Sequence, residues 1–377
     1  MNAPMRDRKI LIFAEDPGAV NFVAPLPAAL AEIGIQSVVL AAGHAVDFFN
    51  DLDISYHSLA GSETAADVLN THQPNLVLVG TSENPETIGL QLIAEARRLK
   101  IASVGVIDGP AFPEFRFRGR SNVLLQFAPD WLAVPDRPTA ESYVELGYRE
   151  DRTIICGHPH FDRVREECRR LDKEEVTALR SSVLGDEVGS RLVVVFIAEL
   201  SDGLRPRDFQ WTPECQLRGR GDSQQRTQIV LEEVLDAVAY LDPKPYIVLR
   251  LAPKNRVGEF SNYAGEIDYI SHQGPVLPLL YVANLVIGMT SMPLLEAAIM
   301  GRSTLSVLPL PEQRRWLPSI DLGLTRLATT REEVRRQIGL GLENGPPMVM
   351  GDLIPVGAVT CLSTFLGGLE IEGPNGA

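Results

Sequence analysis

The sequence predicts an α/β protein built from two doubly wound domains, each a parallel sheet with helices on both faces. Three observations predict it. Short apolar runs rich in β-branched residues alternate with helical stretches from Lys9 onward, and right-handed parallel crossovers need that alternation. The chain has 377 residues, enough for two cores rather than one. Finally, the polar stretch Gly185–Ser190 is followed at once by the β-branched run Arg191–Ile197, which restarts the pattern. On these grounds the first domain spans residues 1–184 and the second 185–350, with a helical tail at 351–377.

Composition narrows the function classes. Lys+Arg 35 against Asp+Glu 49 leaves a net charge of −14. That balance argues against broad nucleic-acid or anionic-membrane binding, so local basic clusters must serve any anion. The cysteines Cys156, Cys168, Cys215 and Cys361 form no C-x-x-C pair and no metal-ligand spacing. The basic start is followed only by Ile10–Ala14 before Glu15, too short a run for a signal peptide. Reduced thiols and a cytoplasmic location are expected. The most apolar long stretch, Leu353–Leu369, is interrupted by Gly357, Gly367 and Gly368, so no membrane span is expected.

Taken in order, Lys9–Ala14 is the first strand and Glu15–Asn21 a tight loop into a helix reaching about Ile33. This Gly-bearing loop falls at the carboxyl edge of the sheet, where open α/β folds bind ligands, but it lacks G-x-G-x-x-G, which disfavours a dinucleotide cofactor. Its Asp-Pro-Gly triplet equally suits a plain turn. Strands follow at Gln36–Leu40, Ile54–His57, Asn75–Gly80 and Ile101–Ile107, with helices between them. Thr81, Ser82 and Asp108 close two of these strands and so face the same crevice as Asp16. The segment Gly109–Asn122 interleaves Arg116, Arg118 and Arg120 with Phe115 and Phe117. It reads as an anion clamp or as a charge-alternating surface hairpin. Strands Phe127–Val134 and Arg152–Cys156 flank a helix and lead to Gly157-His-Pro-His-Phe-Asp162. Its two histidines lack a third ligand, so no metal is expected, and Asp162 suits a cap on the next helix.

In the second half, Ser201–Ser223 is a long polar insertion, read as a lid that orders on substrate. Pro245–Leu251 is a strand that brings Arg250 and Lys254 to its carboxyl edge. The stretch Gly288–Leu308 organises the rest: a buried strand precedes it, Thr290 and Ser291 can cap a helix, Pro293 suits the first turn and Gly301 the end. Backbone N–H groups and two hydroxyls at such a turn suit a phosphate. Glu296 is the only charge on that helix and should be buried unless something polar meets it. It can reach ribose hydroxyls, or pair with Arg302.

Thr290, Ser291, Glu296 and Gly301 resemble the donor-site segment of the GT-B superfamily. Gly157, Pro159, Phe161 and Asp162 are similar to the run that closes the last N-terminal strand in its UDP-N-acetylglucosamine 2-epimerase and polymer-transferase members. Arg250-Leu-Ala-Pro-Lys254 resembles a segment of CDP-glycerol-type transferases, with Ala252 in place of a histidine. The Glu15–Asn21 loop looks like the acidic loop of lipid-A-disaccharide synthase. The resemblance implies two Rossmann-like domains facing a cleft (GT-B), with a nucleotide sugar in the C-terminal one, an acceptor in the N-terminal one and the tail helix packed back across the first domain. It implies Asp16 and His158 as catalytic groups. Gly18, Asn21, Asp108, Arg116 and Arg118 would bind acceptor, Arg250, Lys254, Thr290 and Ser291 the diphosphate, and Glu296 the ribose.

The activity implied first is metal-independent glycosyl transfer from a nucleotide sugar to an acceptor hydroxyl in polysaccharide or other glycoconjugate synthesis, with no cofactor and no metal. The runner-up is a UDP-N-acetylglucosamine 2-epimerase, hydrolysing or not, which needs at least two acid/base carboxylates. A non-catalytic nucleotide-sugar-binding protein is the third reading. Expected partners are the nucleotide sugar and a small-molecule or glycan acceptor, not nucleic acid; a homodimer stays open.

Overall fold

The apolar runs form two sheets, parallel throughout, in a computed structural model that describes residues 8–59, 61, 63–200, 205–253, 255–346 and 354–369. The chain divides into two units, Met1–Asp162 with Ile354–Ala377, and Arg163–Leu353.

The strands of the first unit are β1 (Lys9–Ala14), β2 (Gln36–Ala41), β3 (His57–Ser58), β4 (Leu76–Gly80), β5 (Ala102–Val106), β6 (Trp131–Val134) and β7 (Thr153–Ile155). They lie in the order β3-β2-β1-β4-β5-β6-β7. Along β1, Ile10, Ile12 and Ala14 pack into one core cluster and Leu11 and Phe13 into another. Alternate residues point to opposite faces, and both faces are buried, as a sheet wound on two sides requires. The helices are α1 (Pro17–Val23), α2 (Leu26–Glu32), α3 (Ala45–Asp51), α4 (Ala65–His72), α5 (Ile88–Leu99), α6 (Pro113–Arg116) and α7 (Arg137–Glu145). The single helix expected up to Ile33 is two, because Pro25 caps α2 and a second proline sits in its first turn; proline cannot continue a helix across that point. The segment expected as a hairpin is the short helix α6 followed by turns.

The chain leaves this unit through α8 (Pro159–Leu171). The second unit contains α9 (Val176–Leu184), α10 (Pro206–Phe209), α11 (Arg226–Val238), α12 (Val276–Val282), α13 (Met292–Ile299), α14 (Pro318–Asp321) and α15 (Arg331–Asn344). Its strands β8 (Val193–Ile197), β9 (Tyr246–Arg250), β10 (Tyr269–Ser271), β11 (Leu285–Gly288), β12 (Ser303–Val307) and β13 (Arg326–Ala328) lie in the order β10-β9-β8-β11-β12-β13. Residues 163–184, which the sequence pattern assigns to the first domain, group with the second unit because α9 packs on α12.

The last helix, α16 (Ala358–Gly368), returns to the first unit and packs on α2. Arg8 donates to the carbonyls of Leu366 (3.2 Å) and Gly367 (2.6 Å), near the end of α16, where a cation also meets the negative end of the helix dipole. At its other end the Asp162 carboxylate accepts from Gly357 N–H (3.0 Å) and Ala358 N–H (2.8 Å). Asp162, in the first turn of α8, thus caps the tail helix.

Candidate active site

In the first unit, charged side chains collect beyond the carboxyl ends of β1, β4 and β5. Gly18 makes this possible: a Cβ there would stand 1.8 Å from Asp108 Oδ2, so only glycine lets the start of α1 lie against that carboxylate. Arg116, buried at 7 % exposure, reaches back from α6 and places Nη1 2.8 Å from Asp108 Oδ1. It also donates to Thr81 Oγ1 (3.2 Å) and lies 3.8 Å from Glu83 Oε1. Burial disfavours its charge, but Asp108, Tyr143, Glu83 and Asp16 outweigh that, and its pKa is raised. Glu83 takes up protons more readily than an ordinary glutamate. Partial burial is the main cause; Arg116 opposes it, while Asp108, Asp16 and Glu114 add to it. Behind Arg116 the ring of Tyr143 is fully buried edge-on to Phe117, 5.9 Å between centroids. Its hydroxyl has no hydrogen-bond partner among the described residues, and burial above all raises its pKa.

This arrangement revises several expectations. Only Arg116 of the three interleaved arginines enters the cluster, and as a buried partner of Asp108 rather than an open acceptor clamp. Arg118 stacks over Phe115 at 4.3 Å, and Arg120 pairs with Glu86 at the surface. Asp16 is the N-cap residue of α1, half-buried, and Asn21 is half-buried on the same helix. His158 does not sit at an open rim. It is 1 % exposed, with Phe22 and Phe161 each 4.7 Å from its ring centre. Its Nδ1 accepts from the His160 N–H (3.2 Å). Burial, with His160 adding to it, holds its pKa well below the usual histidine range. The site makes it a neutral packed ring rather than a proton carrier in contact with substrate.

In the second unit the N-terminal turn of α13 holds an anion, and that anion belongs to the chain. Glu199, just past β8, puts Oε1 within reach of the N–H groups of Met289 (3.1 Å), Thr290 (2.6 Å) and Ser291 (2.8 Å). Its Oε2 accepts from Thr290 Oγ1 (3.1 Å) and from Arg226 Nη2 (2.8 Å). The expected capping by the Thr290 and Ser291 hydroxyls is replaced by this carboxylate, and Ser291 makes no side-chain cap. Arg226, 3 % exposed, is steadied by Gln313 Oε1 at 2.8 Å. Burial lowers its pKa, with Glu199 and Asp208 working against the shift.

Other residues expected to bind the donor are placed as follows. Glu296 is buried on α13 at 4 % exposure. Arg250 is half-buried and donates to Ser271 Oγ (2.9 Å) and to the carbonyls of Gln273 (2.8 Å) and Gly274 (2.8 Å). It closes its neighbouring loop rather than standing open for a diphosphate. Lys254 lies outside the described residues. The described part of the insertion is tied down, which corrects its reading as a lid. Glu232 and Glu233, buried on α11, accept from Arg220 N–H (2.6 Å) and Gly219 N–H (2.9 Å).

Glu83, Tyr143, Glu199 and Arg226 escape the sequence reading. Glu83 and Glu199 each follow a strand's carboxyl end closely, as Glu15 and Asp16 do, and that position is the one signal the sequence offers for them. Nothing local marks Tyr143 or Arg226.

No protein-family model matches the chain, and no curated protein matches it in sequence. Solved structures do match. The UDP-GlcNAc 2-epimerase of Neisseria meningitidis bound to UDP-GlcNAc superposes with a TM-score of 0.65 at 15 % identity, over 95 % of this chain and 99 % of that one. The UDP-GlcNAc 2-epimerase of Methanocaldococcus jannaschii gives 0.63 at 17 % identity over 89 % and 93 %. Anabaena Alr3699/HepE in complex with UDP and glucose gives 0.59 at 12 % identity over 97 % and 96 %. The chain has the GT-B fold. Among these neighbours the 2-epimerase structures stand out. Glycosyl transfer, the activity the motifs imply first, is therefore set aside. No helix among the described residues is long and apolar enough to cross a membrane.

Proposed function

We propose that this GT-B protein epimerises a nucleotide-activated 2-acetamido sugar at C2. The observation that carries the reading is the cluster of Asp16, Glu83 and Asp108 around one buried guanidinium, with Glu114 bearing on Glu83. Inverting a carbon centre requires a proton to leave one face and another to arrive on the other, so two differently protonated acids are useful and one is not. Asp108, ion-paired with Arg116, is the base that removes the C2 proton. As that C–H bond breaks, its electron pair forms the C1=C2 double bond and the diphosphate leaves C1 with the C1–O pair. Glu83, whose pKa is raised, is the acid that returns a proton to C2 from the opposite face. Readdition of the nucleotide to C1 then gives the epimer; addition of water gives the free sugar and the nucleoside diphosphate.

In the second unit the α13 turn and Arg226 present preorganised donors of the kind that stabilise negative charge. The test is incubation with UDP-GlcNAc alone in D2O. The expected products are the 2-epimer, or free 2-acetamido sugar with UDP, carrying deuterium at C2. Unchanged substrate without deuterium after prolonged incubation would overturn the proposal.

A further inference from the structure

The shell around Glu199 holds more donors than a carboxylate can serve. Its two oxygens already accept from the N–H groups of Met289, Thr290 and Ser291, from Thr290 Oγ1 and from Arg226 Nη2. Two further groups there, Arg226 Nε and Ser291 Oγ, are buried and have no hydrogen-bond partner among the described residues. A carboxylate offers about four lone-pair positions, whereas a phosphate brings a third oxygen and more charge. The arginine adds a constraint. With Arg226 at 3 % exposure, removing Glu199 leaves a buried cation unpaired unless another anion replaces it, and unpaired buried charge is strongly destabilising.

We infer that Glu199 is an internal stand-in for a phosphate: the α13 turn and Arg226 form a phosphate-binding site that the free protein fills with its own carboxylate, and a diphosphate binds there only by displacing it. Glu199 is held at its root as well as at its head. Its backbone N–H donates to Thr227 Oγ1 (3.1 Å), which in turn donates to the Glu199 carbonyl (2.6 Å). The side chain can therefore swing out about a backbone that stays in place. A neutral nucleoside cannot compensate Arg226 and is excluded; a nucleoside diphosphate can. The inference rests on the proposed nucleotide-sugar reading for its ligand, though not for the anion site itself.

Calorimetric titration with UDP of the wild type and of Glu199→Gln is the first test. Glutamine keeps an oxygen acceptor for the backbone N–H groups and removes the competing charge. Losing one charge-assisted competitor is expected to tighten UDP binding about 10-fold or more. The second test is thermal unfolding of Glu199→Ala with inorganic pyrophosphate. Its stripped donors should give a larger rise in Tm than the wild type shows. Equal or weaker UDP binding by Glu199→Gln, with UDP bound by the wild type, would overturn the stand-in and leave the epimerase reading intact. Pyrophosphate stabilising Glu199→Ala while UDP binds neither protein would support the stand-in and remove the nucleotide reading. No response of any variant to either ligand would overturn the stand-in, and turnover of UDP-GlcNAc would then judge the epimerase reading separately.

Discussion

Arg116 and Arg226 hold comparable places in the two units. Each is buried near the carboxyl edge of a parallel sheet, and each faces a carboxylate at 2.8 Å. Their ionisation moves in opposite directions: Arg116 is raised and Arg226 lowered. The difference lies in what surrounds the pair. Asp108, Glu83 and Asp16 all bear on Arg116, so acid is in surplus there, and Glu83 is pushed toward keeping its proton, by its burial first and by Asp108 and Asp16 after it. Around Arg226 the acid is scarcer, and Glu199 is also held by three backbone N–H groups. One ion pair is thus embedded in excess negative charge, which suits moving protons. The other is embedded in excess donors, which suits holding an anion.

Three substitutions or conditions would sharpen or break that contrast. Asp108→Asn should cost most, because it removes the proposed base: a loss of about 10³-fold in kcat with UDP-GlcNAc is expected, within the range for general bases. Retained turnover would show that the surplus of acid is structural. Arg226→Met should act on stability instead. Breaking a buried pair from one side costs about 3–5 kcal/mol, readable as a lower midpoint in urea unfolding, and loss of UDP binding should accompany it. The smallest effect is a pH dependence confined to the first unit. The pKa of His158 lies below its unfolded value, so the unfolded chain binds the extra proton first as pH falls below about 6.5. Its contribution is fully present above that pH. Below it, stability should fall by about 1.4 kcal/mol per pH unit, and His158→Phe should flatten that slope.

Much of the fold was legible because the central strands are runs of mostly apolar residues with both faces buried. Val193–Ile197 and Leu285–Gly288 announce themselves in this way. The strand Arg326–Ala328 did not, since three residues at a sheet edge carry too little periodicity to stand out. The two-residue strand His57–Ser58 was blurred for the same reason. The site was legible in half. Asp16, Gly18, Asp108, Thr290 and Ser291 lie within a few residues of strand ends, and topology alone sends such residues to the carboxyl edge of the sheet.

The sequence by itself determined the alternation of strand and helix, the division into two wound halves, and the turn before Met292 as a place for negative charge. Periodicity and turn chemistry are local, so they survive reading one residue at a time. Only the tertiary structure decided which charge meets which. Arg116 is separated from Thr81 by 35 positions and Glu199 from Thr290 by 91. Contacts across such separations depend on how strands are ordered in the sheet, and no neighbouring residue records that order.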